Sequence, residues 1–414
     1  AVYSKADLVF NGSGTLNVNA GYRNGIKSTD DLKVVSGTFN ITSNEDGIIG
    51  KDLLGVKDGK FTIKSGSDGM KSTYDTDTSK GNIVITGGEF DITASNDGVH
   101  CNGDILISGG NLTISSGDDG VHADDNLQVD GGTIAIKKCC EGLEGVQITL
   151  NNGDISIVAS DDGINAADGS SSSGMGMGGF GGGQNGGFGG GQTSSSDSSV
   201  LLTINGGNIF VNAGGDGLDS NGNIVMNGGN VTVLGPTSDG DTALNFDGAF
   251  TINGGVLMAF GSSGMLETPT SAQNGCCIVT TLGTVSANSA FSLMDSSGNV
   301  IMSYTPTKNY ASAIVYSSDI KNGSTYTVTA GSTTQSITVN SNVTTNGVSG
   351  GFGGGQNGGF GGGQRGGQPG GSNQQGGNQQ GGNQQGGNQQ GGMPGGNSGN
   401  GRSNSASSST VNQV

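Results

Sequence analysis

Seven acidic residues stand immediately before a glycine at a nearly constant interval: Asp46, Asp68, Asp97, Asp119, Glu141, Asp162 and Asp216. Half of the steps are 22 residues apart and another is 21, with Gly25 opening the series and Ala243 filling its last slot. Asp118 and Asp161 double two of the corners, and Glu144 and Asp219 place a further acid two residues beyond the glycine. Carboxylates that recur at one position of a stacked coil lie about 4.8 Å apart. Left bare at that distance, they repel and raise one another's pKa. Calcium takes oxygen ligands at roughly 2.3–2.6 Å, so one ion spans two rungs. Asp97, Asp118, Asp119, Glu141, Glu144, Asp161, Asp162, Asp216 and Asp219 are therefore the expected metal ligands, and calcium the expected ion. A plainer reading covers one acid per coil: the aspartate caps its own turn and the glycine takes a positive φ. The doubled acids fall outside that reading.

Other chemistry is thin. His100 and His122 are the two histidines of the chain, one coil apart in the column two residues after the glycine. As a zinc pair they need a third ligand, for which Asp104, Asp124 or Glu144 would have to serve, and the expectation is surface polar residues instead. Cys101 falls in a column of small residues and reads as a buried, inert thiol. The odd cysteine count, with Cys139-Cys140 and Cys276-Cys277 as adjacent pairs, makes no disulfide framework and no CxxC zinc spacing. A polysaccharide lyase requires an arginine or lysine base beside its calcium. Arg23 is the only arginine before the C-terminal tail, and Lys137 and Lys138, near Glu141 and Glu144, are the one plausible cluster. No catalytic residue is assigned.

The elements that position these residues follow from a second glycine about ten residues after each acidic corner, the series beginning at Gly37, Gly59 and Gly88. Apolar residues flank it at alternate positions, as Leu32, Val34, Phe39 and Ile41 do around Gly37, and another apolar column (Ile26, Ile48, Met70, Val99) follows the acidic corner. Alternation at period two marks strands with one buried face. Three short strands per repeat, stacked because no single repeat buries its own apolar side, predict an all-β chain. The fold class is a right-handed parallel β-helix, a solenoid of about nine coils of ~22 residues, closed by a C-terminal β cap. The solenoid is expected over residues 1–264, interrupted at 169–199 by a low-complexity Gly/Ser loop. An open sheet edge needs cover, and residues 265–346 lose the period and read as the β-strand cap. Residues 347–414 form a Gly/Gln/Asn-rich tail, expected to be disordered. The tail opens on GGFGGGQNGGFGGGQ, a repeat of residues 178–192.

Composition sets the outer limits. A net charge of −18 disfavours nucleic acid and anionic membrane surfaces. No apolar run nears the ~18 residues that span a bilayer. The sequence begins at Ala1 without a signal peptide, and a processed product with further coils upstream is expected. Tryptophan is absent and Tyr3, Tyr22 and Tyr74 gather at the first coils, which argues against an aromatic sugar platform; no carbohydrate-binding face is assigned.

Across residues 1–52, the motifs YSK-DL, NGSGTL, NGI-S-DDL and DGI-GKD resemble the bacterial, largely clostridial, family of carbohydrate-binding parallel β-helix proteins. The likeness runs to about Ala330, leaving out the low-complexity insert and the tail. It implies a helix shaped like the pectate lyases, bound calcium at the acidic corners, and binding of cellulose or pectin without cleavage. The expected function is thus non-catalytic binding of cell-wall polysaccharide by a monomeric, extracellular, calcium-stabilised module. The alternatives are a lyase acting on uronate polymers and a surface adhesin or spacer with a protein partner.

Overall fold

The coil after Gly25 is built from three strands, Ile26–Ser28, Asp31–Val34 and Thr38–Ser43. One turn later they recur as Ile48–Gly50, Leu53–Val56 and Lys60–Ser65. Stacking is parallel and in register, with Ile26 on Ile48, Leu32 on Leu54 and Phe39 on Phe61. The computed structural model describes residues 1–74, 76–77, 79–168 and 199–348. Within them the repeats wind into an all-β, right-handed parallel β-solenoid of about eleven turns with a distinct C-terminal sheet. All of the loop expected over 169–199 except its last residue, and all of the tail expected over 347–414 except its first two, lie outside the described residues.

The periodicity undercounts the turns because its signature fades at both ends. Val2–Ser4, Leu8–Phe10 and Thr15–Ala20 form an earlier turn in which Val2 stacks on Ile26, so Ala1 holds the place of Gly25. At the far end only Ser271–Ala272 continues the ladder beyond Phe250–Ile252.

The inward columns form one continuous core. Leu32, Leu54, Ile83, Leu127, Ile148 and Leu202 are fully buried, and Phe39, Phe61 and Phe90 stack face to face at 4.9 and 4.7 Å. Ser28, Ser72, Cys101, Ala123 and Ala166 fill the narrow corner, as the run of small residues requires. The two glycine columns serve different purposes, and the expected one is corrected. Gly25 and its equivalents do not take a positive φ; Gly37 (φ +138) and its equivalents do. At Gly25 the constraint is space, since a Cβ would stand 2.5 Å from both the Gly47 carbonyl oxygen and the Ile41 methyl of the core.

The solenoid ends by reversing strand direction. Tyr310–Ser317 lies antiparallel to Val256–Gly261, the last strand of one long sheet, and to Cys276–Val285, which Val343–Asn346 joins in parallel. Phe291–Met294, Val300–Tyr304, Thr325–Ala330 and Thr333–Thr338 form a separate four-stranded sheet. Phe260, Phe291, Tyr310 and Tyr326 anchor a second hydrophobic core there. All five cysteines carry free thiols. Among the described residues no helix is long and apolar enough to cross a membrane.

Candidate functional site

At five of the seven acidic corners one carboxylate oxygen is committed to architecture. Asp46 Oδ1 accepts the amide N–H of Asp68 at 3.2 Å, Asp68 Oδ1 that of Asp97 at 3.2 Å, and Asp97 Oδ1 that of Asp119 at 3.0 Å. Asp162 accepts from Asp216 at 2.6 Å, and Asp216 from Thr242 at 2.5 Å. The acids therefore tie coil to coil rather than capping their own turns. The second oxygen of Asp68 meets Lys71, that of Asp97 accepts from Asn96 at 3.2 Å, and that of Asp216 accepts from Asn245 at 2.7 Å.

What faces that second oxygen changes along the edge. The residues two beyond the glycine stack in register as Lys27, Ile49, Lys71, His100, His122, Glu144, Asn165, Asp219 and Asn245. In the early coils a cation answers the acid. Lys71 Nζ pairs with Asp68, whose side chain is fully buried, and Asn96 Nδ2 donates to Asp68 at 2.7 Å. Despite its burial, Asp68 is held well below the usual carboxylate range by the neighbouring His100, Lys71 and Asn96.

The middle coils gather the histidines. The two rings stack 4.9 Å apart, and their side chains are only 17% and 25% exposed, so they are not the surface polar residues expected from sequence. His100 Nδ1 lies 3.3 Å from Asp97 Oδ2 and 3.7 Å from Asp68 Oδ2; His122 Nδ1 lies 3.2 Å from Asp119 Oδ2 and 3.3 Å from Glu144 Oε2. Asp124 Oδ1 faces both Nε2 atoms, at 3.3 and 3.5 Å. Asp104 does not join them, because its Oδ1 accepts from the side chain and backbone of Asn126. Burial alone would lower the His100 pKa, but Asp124, Asp68 and Asp97 raise it to about 9.

In the later coils acid faces acid. Burial, then Asp162 and Asp216, push Asp219 up to about 8. Burial, followed by Asp216, Asp161 and Glu141, lifts Asp162 to about 7, against an amide hydrogen bond that lowers it. Asp161 Oδ1 and Asp162 Oδ1 crowd the same spot, each 2.5 Å from where a Gly215 Cβ would stand. Glu141 is instead satisfied by Asn165 Nδ2 at 2.8 Å.

Among the described residues, four groups bring three donor atoms within 4.8 Å of one another and are capable of holding a metal ion. They are Asp97, Asp118 and Asp119; Asp119, His122 and Glu144; Asp97, His100 and His122; and Asp7, Asp30 and Asp31. Glu141, Asp161, Asp162, Asp216 and Asp219 enter none of these groups. The sequence reading passed over Asp7, Asp30 and Asp31, although the Asp30-Asp31 doublet resembles those at Asp118 and Asp161. Lys137 and Lys138 are exposed and make no ion pair among the described residues.

A second surface lies on the outer face of the sheet that begins with Thr15–Ala20. Asn17, Asn40, Thr62, Asp91, Thr113, Ala135, Ser156, Phe210 and Thr232 follow one another in register along it. Asn40 Nδ2 donates to Asn17 Oδ1 at 2.7 Å, and Asn230 Nδ2 to Asn208 Oδ1 at 3.0 Å. Shallow depressions on this face are lined by Asn17, Asn40 and Thr62, by Thr62, Asp91 and Thr113, and by Ser156, Phe210 and Thr232.

Residues 1–180 match a family model described as a carbohydrate-binding domain-containing protein, and that stretch of the chain is similar to it. No curated protein and no solved structure matches the chain. The match and the solenoid are consistent with a non-catalytic carbohydrate-binding scaffold.

Proposed function

We propose that this chain is a non-catalytic polysaccharide-binding module that acts outside the cell as a monomer. Its substrate class is cell-wall polymer of the cellulose or pectin type, and calcium on the acidic edge stabilises it. The observation that carries the reading is the register of polar side chains on the outer sheet face, within the same residues 1–180 that match the carbohydrate-binding family model. A row repeating every ~4.8 Å offers one hydrogen-bonding group per rung to a polymer lying along it. Asn, Thr and Asp supply both donors and acceptors to sugar hydroxyls.

Calcium is supported by the all-oxygen group Asp97, Asp118 and Asp119 and by the crowded acids around Asp162 and Asp219. Hard oxygen donors without nitrogen or sulfur suit calcium better than a transition metal. Native affinity electrophoresis through cellulose, polygalacturonate and a neutral control polymer, with and without EDTA, tests the proposal. Retardation in at least one plant polymer, weakened by EDTA, is expected. Unretarded migration in all of them removes the polysaccharide reading, and growth of unsaturated-product absorbance on polygalacturonate removes the non-catalytic one.

A further inference from the structure

The histidine pair is built differently from the rest of the acidic edge. Asn102 Nδ2 donates to Asp124 Oδ2 at 2.6 Å and fixes that carboxylate. Asp124 Oδ1 then receives His100 Nε2 at 3.3 Å and lies 3.5 Å from His122 Nε2. A neutral imidazole that turns Nδ1 towards carboxylate oxygens offers a lone pair there, the orientation in which histidine ligates a metal. Both Nδ1 atoms face carboxylate oxygens, and His100 Nδ1 is buried without a hydrogen-bond partner. Two lone pairs pointed at each other repel unless a cation lies between them.

The spacing at His122 also fits a metal in that role. A charge-assisted N–H···O bond closes to about 2.7–2.9 Å. Two ligands at 2.0–2.1 Å on a tetrahedral ion stand about 3.3 Å apart, since the edge is about 1.63 bond lengths. His122 Nδ1 lies 3.2 Å from Asp119 Oδ2 and 3.3 Å from Glu144 Oε2. These are tetrahedral edges.

We infer that Asp119, His122 and Glu144 form a site for a zinc-class divalent cation, with the fourth position open to solvent. Nitrogen ligation selects against calcium. The site differs in ligand chemistry from the oxygen-only group Asp97, Asp118 and Asp119, with which it shares Asp119, and it does not depend on polysaccharide binding.

The test uses the full chain, stripped with chelator, kept reduced and titrated with Co2+ in a large excess of Ca2+. Visible d–d absorption of tetrahedral intensity, saturating at one ion per chain and displaced by Zn2+, is the expected result. His122→Gln and Glu144→Gln should each raise the apparent Kd at least about tenfold. His100→Gln should leave the tetrahedral spectrum in place. Far-UV circular dichroism confirms that each variant retains the solenoid; where His122→Gln fails to fold, Glu144→Gln decides. Displacement of Co2+ by calcium, an octahedral spectrum, or a spectrum that survives in a folded His122→Gln or Glu144→Gln protein overturns the assignment. Loss in His100→Gln but not in His122→Gln overturns it as well.

Discussion

Stripping divalent cations and raising the pH from 5 to 8 should lower the melting temperature of this protein, because of Asp162 and Asp219. Their ordinary value is 3.8, and the folded chain lifts them to about 7 and about 8. A carboxyl group whose folded pKa is raised binds its proton more tightly folded than unfolded. Its contribution to stability is complete below about pH 4 and is lost as the pH climbs through about 7 to 8. At 1.36 kcal/mol per pKa unit, full deprotonation costs about 4 kcal/mol at Asp162 and about 6 at Asp219. The two repel each other, so the pair costs less than the sum, and about 5 kcal/mol is the working figure. For a domain of this size that is on the order of 10 °C in melting temperature. His100, raised to about 9, acts in the same direction. Calcium at about 100 times its Kd returns about 2.7 kcal/mol per site. Thermal unfolding followed by circular dichroism in EDTA, repeated with calcium, measures both effects. Asp162→Asn combined with Asp219→Asn should flatten the chelated profile, because the carboxamide introduced at position 162 retains an oxygen to accept the Asp216 amide. A melting temperature that is level or rising from pH 5 to 8 in EDTA refutes the reasoning.

Three further outcomes follow. Gly69→Ala should cost about 1–3 kcal/mol in chemical denaturation, since a Cβ there meets the Gly98 carbonyl and the Ile92 methyl, each at 2.5 Å; Ala243→Gly, in the equivalent last slot, should cost about 1 kcal/mol or less. Phe61→Ala opens the centre of the aromatic stack and should destabilise by about 3–5 kcal/mol, read as a lower urea midpoint. Lys71→Met leaves the buried Asp68 charge without its cation and should cost about 3 kcal/mol at neutral pH. The hydrogen bonds that hold Asp68 low contribute above its unfolded pKa and fade as the pH falls, so the penalty of Lys71→Met should shrink in acid.

The solenoid was legible because stacking converts a period in sequence into a column in space. Ile26, Ile48 and Met70 announce their alignment by spacing alone. The histidine cluster was legible only in part: Asp124 and Glu144 were named as possible partners of His100 and His122 together with Asp104, and nothing in the spacing chose among them. Asp124 belongs to no column: it sits where the ladder slips between Ala123 and Asn126, and only the fold swings it across His100 and His122. The turn before Gly25 was obscured for a simpler cause, since its acidic corner would fall at and before Ala1. The role of the corner glycines was misjudged because the spacing gives no backbone torsion. A glycine needed for close approach reads the same as one needed for positive φ, and only the contact with the next coil separates Gly25 from Gly37.

The corner ties all run one way: the carboxylate belongs to the earlier coil and the amide to the later one. Each circuit thus emerges onto an acceptor already in place, which suits a chain that winds in the order of its synthesis. An assembly halted partway presents carboxylates at its growing front, and water solvates these cheaply. Cut from the other side, the same stack loses those acceptors and turns the corner amides they held to water. At the acidic corners the two ends of the solenoid are therefore chemically unlike.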